Sequence, residues 1–382
     1  MGRFFKRNSL KTNVFVALFV LTVLFSSCIS VNNTLPIEHG KITEFERYGH
    51  AKLDITIEKM LSDGYELGDT VDIYFDNGRV YRDVPFFNGY YVKKGDIMLR
   101  AYPGHTNVAV CINYGKINEE ASLDVGDTVL IVLSKKKGAI DTQELNSLVY
   151  SNERSDFESD AEFANFREIT TSGIGQGILY RSASPINNEN KRASTADQLI
   201  SSVGIKSVIN LADSNSDIES YIKASDFNSP YYKSLYDKGN VIALSMPVDF
   251  SSPNFQGDLV SGIKKLVTNE MDTPILIHCT EGKDRAGFTS ALLEAFMGAS
   301  ADEIIADYMV SYKNYYGITE ESDSARYDMI VKNNIAEMLK VISGKNSIDE
   351  LTPEDLMFGA INYLIKGGMT EREVEALIRI LY

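Results

Sequence analysis

His278-Cys279-Thr280-Glu281-Gly282-Lys283-Asp284-Arg285-Ala286-Gly287-Phe288 follows directly on the apolar run Pro274-Ile275-Leu276-Ile277. The architecture of the C-terminal half turns on this stretch. A short, wholly apolar run is what a strand buried on both faces of a parallel sheet requires. Gly282 permits a sharp turn. The next stretch, Ala286 to Met297, contains Ala291, Leu292, Leu293, Ala295 and Phe296, a composition suited to a helix. Strand, tight loop and helix N-terminus together form an anion cradle, because successive N–H groups converge and the helix dipole adds positive potential. Arg285 offers a planar fork to two phosphate oxygens. The same field favours a thiolate at Cys279, which makes that sulfur a nucleophile.

The flanks extend this pattern. Val208-Ile209-Asn210-Leu211 and Val241-Ile242-Ala243-Leu244 read as buried parallel strands, and Leu259 to Val267 as a helix. Ser300 with Glu303 and Thr370 with Glu373 are capping boxes, and Thr352-Pro353 puts a cap before a first-turn proline. Residues 159–382 are therefore expected to be α/β, a parallel sheet with a helical C-terminal part. Residues 39–138 differ. Gly68-Asp69-Thr70, Gly95-Asp96-Ile97 and Gly126-Asp127-Thr128 each lead into a β-rich run, and Asp76-Asn77-Gly78 is a tight-turn signal. A small antiparallel all-β barrel or sandwich domain is expected there, with helical periodicity only near Ile55 to Leu61. Residues 139–158 read as a polar linker.

The 382 residues carry a formal charge of −15, which speaks against a nucleic-acid partner. Cys28, Cys111 and Cys279 are too few for a disulfide framework, and no spacing among the histidines marks a metal site. His39, His50 and His105 read as surface or loop residues, and Cys111 as a core residue of an apolar strand. Arg3, Lys6, Arg7 and Lys11 precede an apolar stretch from Val14 to Phe25. That stretch is short of the roughly 20 residues of a spanning helix, but it suits a signal peptide. Phe25-Ser26-Ser27-Cys28 resembles a bacterial lipobox. The resemblance implies a signal peptide at 1–27, a palmitate-type lipid anchor on Cys28, a tether over 28–38, and an extracytoplasmic place at the cell membrane. Phe25 stands where an aliphatic residue is usual.

The 278–288 loop resembles that of the cysteine-dependent tyrosine phosphatases, in the bacterial branch that reads His-Cys-x-x-Gly-Lys-Asp-Arg. "FANFREI" (163–169), "GILYRSASP" (177–185) and "DYMVS" (307–311) resemble further segments of that branch, so the likeness spans about residues 160 to 382. In "GIKSVINLAD" Ala212 stands where the branch commonly has arginine. The stretch 64–96 bears a weak likeness to the small β domain of S-adenosylmethionine hydroxide adenosyltransferases, without their catalytic portion. It implies a binding module or spacer whose partner the sequence does not name.

The resemblance implies a metal-free and cofactor-free phosphomonoester hydrolase. Cys279 would form a cysteinyl-phosphate, while Arg285 and the loop amides of Thr280, Glu281 and Gly282 hold the phosphoryl oxygens. His278 would tune the thiolate, and Lys283 would add a charge suited to a second phosphate. Asp284 and Asp249, the latter within Met246-Pro247-Val248-Asp249-Phe250, are equal candidates for the general acid. Ala286 stands where a Ser or Thr hydroxyl normally assists release of the cysteine, so a slower second step is expected, or compensation by another donor. Glu281 should penalise heavily phosphorylated substrates. The expected substrate is phosphotyrosine protein. A phosphoinositide or inositol phosphate is the alternative substrate, and a surface phosphate-binding lipoprotein with little turnover is the alternative function. The tyrosines from Tyr308 to Tyr316 are expected to pack a helix.

Overall fold

In the computed structural model, residues 36–250 and 253–382 are described, and they form two compact units that divide between Ser147 and Leu148. The expected signal segment, the Cys28 anchor and most of the 28–38 tether lie outside the described residues. Among the described residues no helix is long and apolar enough to cross a membrane.

The first unit is a closed seven-stranded barrel. Its strands are β1 (Ile37–Phe45), β2 (Ala51–Thr56), β3 (Thr70–Phe75), β4 (Val80–Phe87), β5 (Ile97–Arg100), β6 (Asn107–Ile112) and β7 (Thr128–Lys135), in the order β1-β2-β6-β5-β4-β3-β7. Gly68, Gly95 and Gly126 have φ of 92°, 91° and 100°, conformations that a side chain would strain. The aspartates behind two of them close the turns, since Asp69 accepts from the Glu66 N–H and Asp127 from the Asp124 N–H, both at 2.8 Å. Alternate residues such as Val129, Ile131 and Leu133 of β7 point into a core shared with Leu53, Ile73, Phe86 and Val110. Closure leaves no sheet edge to aggregate.

The expected all-antiparallel pattern fails at one pair. β4 and β5 run parallel, because residues 88–96 return the chain to the same end of the barrel instead of folding it back as a hairpin. Three short helices, α1 (Ile57–Ser62), α2 (Ile117–Glu120) and α3 (Ile140–Asn146), decorate the strands, and α3 occupies part of the expected linker. His50 lies in the loop between β1 and β2, as expected, but not on the surface. It is buried, with its Nδ1 3.2 Å from the Tyr90 hydroxyl and 3.4 Å from Arg100. Beside its near neighbours Glu46 and Tyr48, its cover comes from residues 40 and 50 positions away, which local pattern does not register. Cys111 is buried against Met98 and Ala109, and burial pushes its thiol up to about 12.

The second unit holds a five-stranded sheet in the order β11-β10-β12-β9-β8. β11 (Val241–Ala243), β10 (Ser207–Asn210), β12 (Ile275–His278) and β9 (Leu179–Ser182) are parallel, and β8 (Arg167–Glu168) joins antiparallel at one edge. Ile275, Leu276 and Ile277 of central β12 are fully buried, which is why that run contains no polar residue. The helices are α4 (Asp160–Phe163), α5 (Ala193–Ser202), α6 (Asn215–Ile222), α7 (Pro230–Asp237), α8 (Pro253–Thr268), α9 (Asp284–Phe296), α10 (Ala301–Tyr316), α11 (Ser324–Ile330), α12 (Ala336–Ser343), α13 (Pro353–Lys366) and α14 (Glu371–Leu381). Every residue of α9 from Ala286 to Phe296 is buried, because α10, α12 and α13 pack around it. A helix enclosed on all sides has no polar stripe to lose. The capping boxes form at Ser300 and Thr370, and Thr352 caps α13 with Asp355. The link from β12 to α9 lies at the C-terminal end of the sheet, between strands β10 and β9, where open α/β sheets hold their ligands.

Candidate active site

The loop between β12 and α9 is pressed against the end of β9. Gly282 has φ +69°, and a Cβ there would sit 2.2 Å from the Ser182 carbonyl oxygen and 2.7 Å from the Ala183 nitrogen. Only glycine fits. The Ser184 N–H donates to the Thr280 carbonyl at 3.0 Å, a second tie to the same strand end. No side chain caps α9 at Lys283, so its first-turn N–H groups are left for an anion. Cys279 stands at the foot of the loop and is buried. Arg285 donates to the Thr280 hydroxyl at 3.1 Å and to the Met246 carbonyl at 3.0 Å, which fixes its fork on two sides. His278 is fully buried, its Nδ1 3.3 Å from the Cys279 carbonyl and its Nε2 3.4 Å from the Tyr232 hydroxyl. Burial, with the nearby Arg285 charge, lowers its pKa to about 3, so the imidazole is neutral.

A buried polar scaffold holds the loop from behind. Fully buried Arg181 of β9 donates to the carbonyls of Gly282 at 2.9 Å and Lys283 at 3.2 Å, and to Asp307 at 2.6 Å. Arg167 of β8 donates to Asp307 at 2.7 Å. The Asn165 amide donates to the Glu281 carbonyl and the Ser311 hydroxyl, each at 3.1 Å. Burial by itself would raise the Asp307 carboxyl, but the two guanidiniums hold it below the usual carboxylate range. Glu294 of α9 shows the reverse, since burial and the Asp307 charge push its pKa well up. Asn165, Arg167, Arg181, Asp307 and Ser311 come from the segments "FANFREI", "GILYRSASP" and "DYMVS", whose pattern along the chain assigns them no role. Charged residues in otherwise apolar strand and helix segments were the available signal, because a buried guanidinium has to be paired.

The remaining predicted residues divide. Lys283 is almost buried. Its Nζ lies 3.1 Å from Glu281 Oε2, 3.1 Å from the Tyr316 hydroxyl, and 5.3 Å from the ring centroids of both Tyr312 and Tyr316. Burial would lower its pKa, but Asp284 and Glu281 raise it well above the ordinary value. Its charge is thus committed inside the protein. Glu281 also accepts from the Tyr150 hydroxyl at 2.8 Å. Tyr308, Tyr312 and Tyr315 of α10 are buried packing residues. Asp284 opens α9, is partly exposed, and lies 4.0 Å from Lys283 Nζ. Asp249 is exposed on the loop after β11, the loop whose Met246 receives Arg285. Ala286 is buried, and the nearest following hydroxyl, on Thr289, is spent on the Arg285 carbonyl at 2.9 Å. Among the described residues no group of His, Cys, Asp and Glu could hold a metal ion.

This geometry can be set beside known proteins. A candidate tyrosine-protein phosphatase of Cupriavidus necator is 51% identical over 37 residues, which are 10% of this chain and 14% of that protein's own length. Solved structures that are similar over about half of the chain include the following two. The core catalytic domain of the PP-IP phosphatase SIW14 from S. cerevisiae is 18% identical, covering 49% of this chain and 96% of that one, with a TM-score of 0.27. TpbA of P. aeruginosa is 16% identical, covering 48% and 98%, with a TM-score of 0.26. The model of the tyrosine phosphatase family matches residues 161–382, which include the loop, the scaffold behind it and all five strands of the second sheet. With the match spanning more than half of the chain, this protein belongs to the tyrosine phosphatase family.

Proposed function

We propose that the chain is a cysteine-dependent phosphomonoester hydrolase acting first on phosphotyrosine protein. One observation carries this reading: Cys279 lies in a loop closed by an uncapped helix N-terminus, with the Arg285 fork fixed by Thr280 and Met246. The Cys279 sulfur attacks phosphorus, the S–P bond forms as the P–O bond to the leaving group breaks, and the leaving oxygen takes a proton. Water then cleaves S–P and releases phosphate and the thiolate. Charge on the three equatorial oxygens is met by Arg285 and the loop N–H groups. Asp284 is the better acid than Asp249, because it belongs to the loop itself and directly precedes Arg285 at the start of α9.

The engaged Lys283 supports a single-phosphate substrate over a polyphosphorylated inositol, since its ammonium already serves Glu281 and Tyr316. A phosphate-binding protein with little turnover is the second reading, favoured by buried Ala286 and the committed Thr289 hydroxyl. The barrel is proposed as a binding module or spacer, and Cys28 as a lipid anchor outside the cytoplasm. The test is hydrolysis of a generic aryl phosphate in EDTA. Cys279→Ser abolishes it, and Arg285→Ala lowers it by about 10³ or more. Turnover retained in Cys279→Ser overturns the mechanism, and a single burst without steady-state turnover selects the binding reading.

A further inference from the structure

The segment just ahead of the family-matched region is fastened to the active-site loop. Arg192 is buried and boxed by aromatic rings, with its guanidinium carbon 5.1 Å from the Tyr150 centroid, 4.6 Å from Phe163 and 5.0 Å from Tyr315. Its nitrogens donate to the Ser151 carbonyl at 2.8 Å and to the Asn152 side chain at 2.6 Å. These contacts order residues 150–152, and Tyr150 then packs on Tyr315 at 4.6 Å and Tyr316 at 5.8 Å between ring centroids. Its hydroxyl donates to Glu281 Oε1 at 2.8 Å, while Lys283 faces Oε2 at 3.1 Å. The Glu281 backbone is held too, its carbonyl accepting from the Tyr315 hydroxyl at 2.7 Å and from Asn165 at 3.1 Å.

Glu281 is a loop residue whose charge opposes a phosphate dianion. It sits two residues from the nucleophile, where a carboxylate released into the cradle would repel the substrate. Tyr150 supplies one of the two side-chain partners that keep it from doing so. We infer that Tyr150, from outside the family-matched region, is a positioning residue of the active site: it pins Glu281 against Lys283 and so keeps the cradle receptive to a phosphate dianion. This rests on the proposed phosphatase reading only in taking the loop for an anion site.

The test is a double-mutant cycle on the full chain, read by calorimetric binding of inorganic phosphate and by KM and kcat on an aryl phosphate. Tyr150→Phe keeps the ring and removes the donor. Losing a hydrogen bond to a charged group should weaken phosphate binding and raise KM by about 5-fold, with kcat within about 2-fold of the parent. In the Glu281→Gln background, where no charge needs holding, Tyr150→Phe should leave both unchanged. An equal loss in both backgrounds, a fall in kcat at constant KM, or no change in either measurement overturns the inference. Phosphate binding that follows the cycle in a chain without turnover upholds it while the catalytic reading fails. Absence of phosphate binding in the parent overturns both.

Discussion

Replacing Asp307 by asparagine should loosen the active-site loop from behind. Asp307 accepts from Arg167 at 2.7 Å and from Arg181 at 2.6 Å, and Arg181 in turn holds the Gly282 and Lys283 carbonyls. Removing the charge of a buried ion pair costs about 3–5 kcal/mol. Here the lower end applies, because Glu294 lies in the same cluster with its pKa pushed up. Once the Asp307 charge is gone, less opposes ionisation of Glu294, and its carboxylate can take over part of the pairing. About 3 kcal/mol in a unit of this size corresponds to a melting shift of roughly 6–12 °C. The substitution therefore also has a pH signature. In the parent the Glu294 pKa is raised, so stability drains as pH rises above the unfolded carboxyl value. In the variant that pKa falls and the drain stops sooner. The gap between parent and variant should be widest near pH 5 and narrower near pH 8, as read by thermal unfolding, and adding Glu294→Gln should abolish the narrowing. Aryl phosphatase activity should fall by about 10–100-fold, because Arg181 no longer holds the loop carbonyls. A melting shift under about 2 °C, or a gap that widens with pH, refutes the account of this cluster.

Further outcomes follow from single contacts. Gly282→Ala places a Cβ 2.2 Å from a backbone oxygen, so the loop must move and aryl phosphatase activity should drop by about 10² or more while the barrel melts normally. Asp284→Asn should lower kcat by about 10² on an alkyl phosphate and far less on a nitrophenyl ester, whose leaving group needs no proton, whereas Asp249→Asn should show no such contrast. His278 has a depressed pKa, so its share of stability is complete above about 6.5 and drains as pH falls toward about 3. His278→Gln should flatten that part of the stability curve while the alkaline side stays parallel to the parent.

What local chemistry encodes is legible along the chain. The apolar run 274–277, the turn glycine and the helix-forming stretch after it dictate strand, loop and helix, because burial on both faces, positive φ and an enclosed helix each demand a particular residue type where it stands. The three Gly-Asp turns mark barrel strands for the same reason. Nucleophile, fork and cradle were legible because they lie within eight consecutive residues. Tertiary structure alone decided what crosses long separations. That Asp307 faces Arg167 and Arg181 spans 140 and 126 residues, and that Tyr150 reaches Glu281 spans 131. No periodicity records such a meeting, since a buried charge is specified by its partner and not by its neighbours in the chain. For the same reason Lys283, which read as a charge offered to substrate, proved to be engaged with Glu281 and the tyrosines of α10.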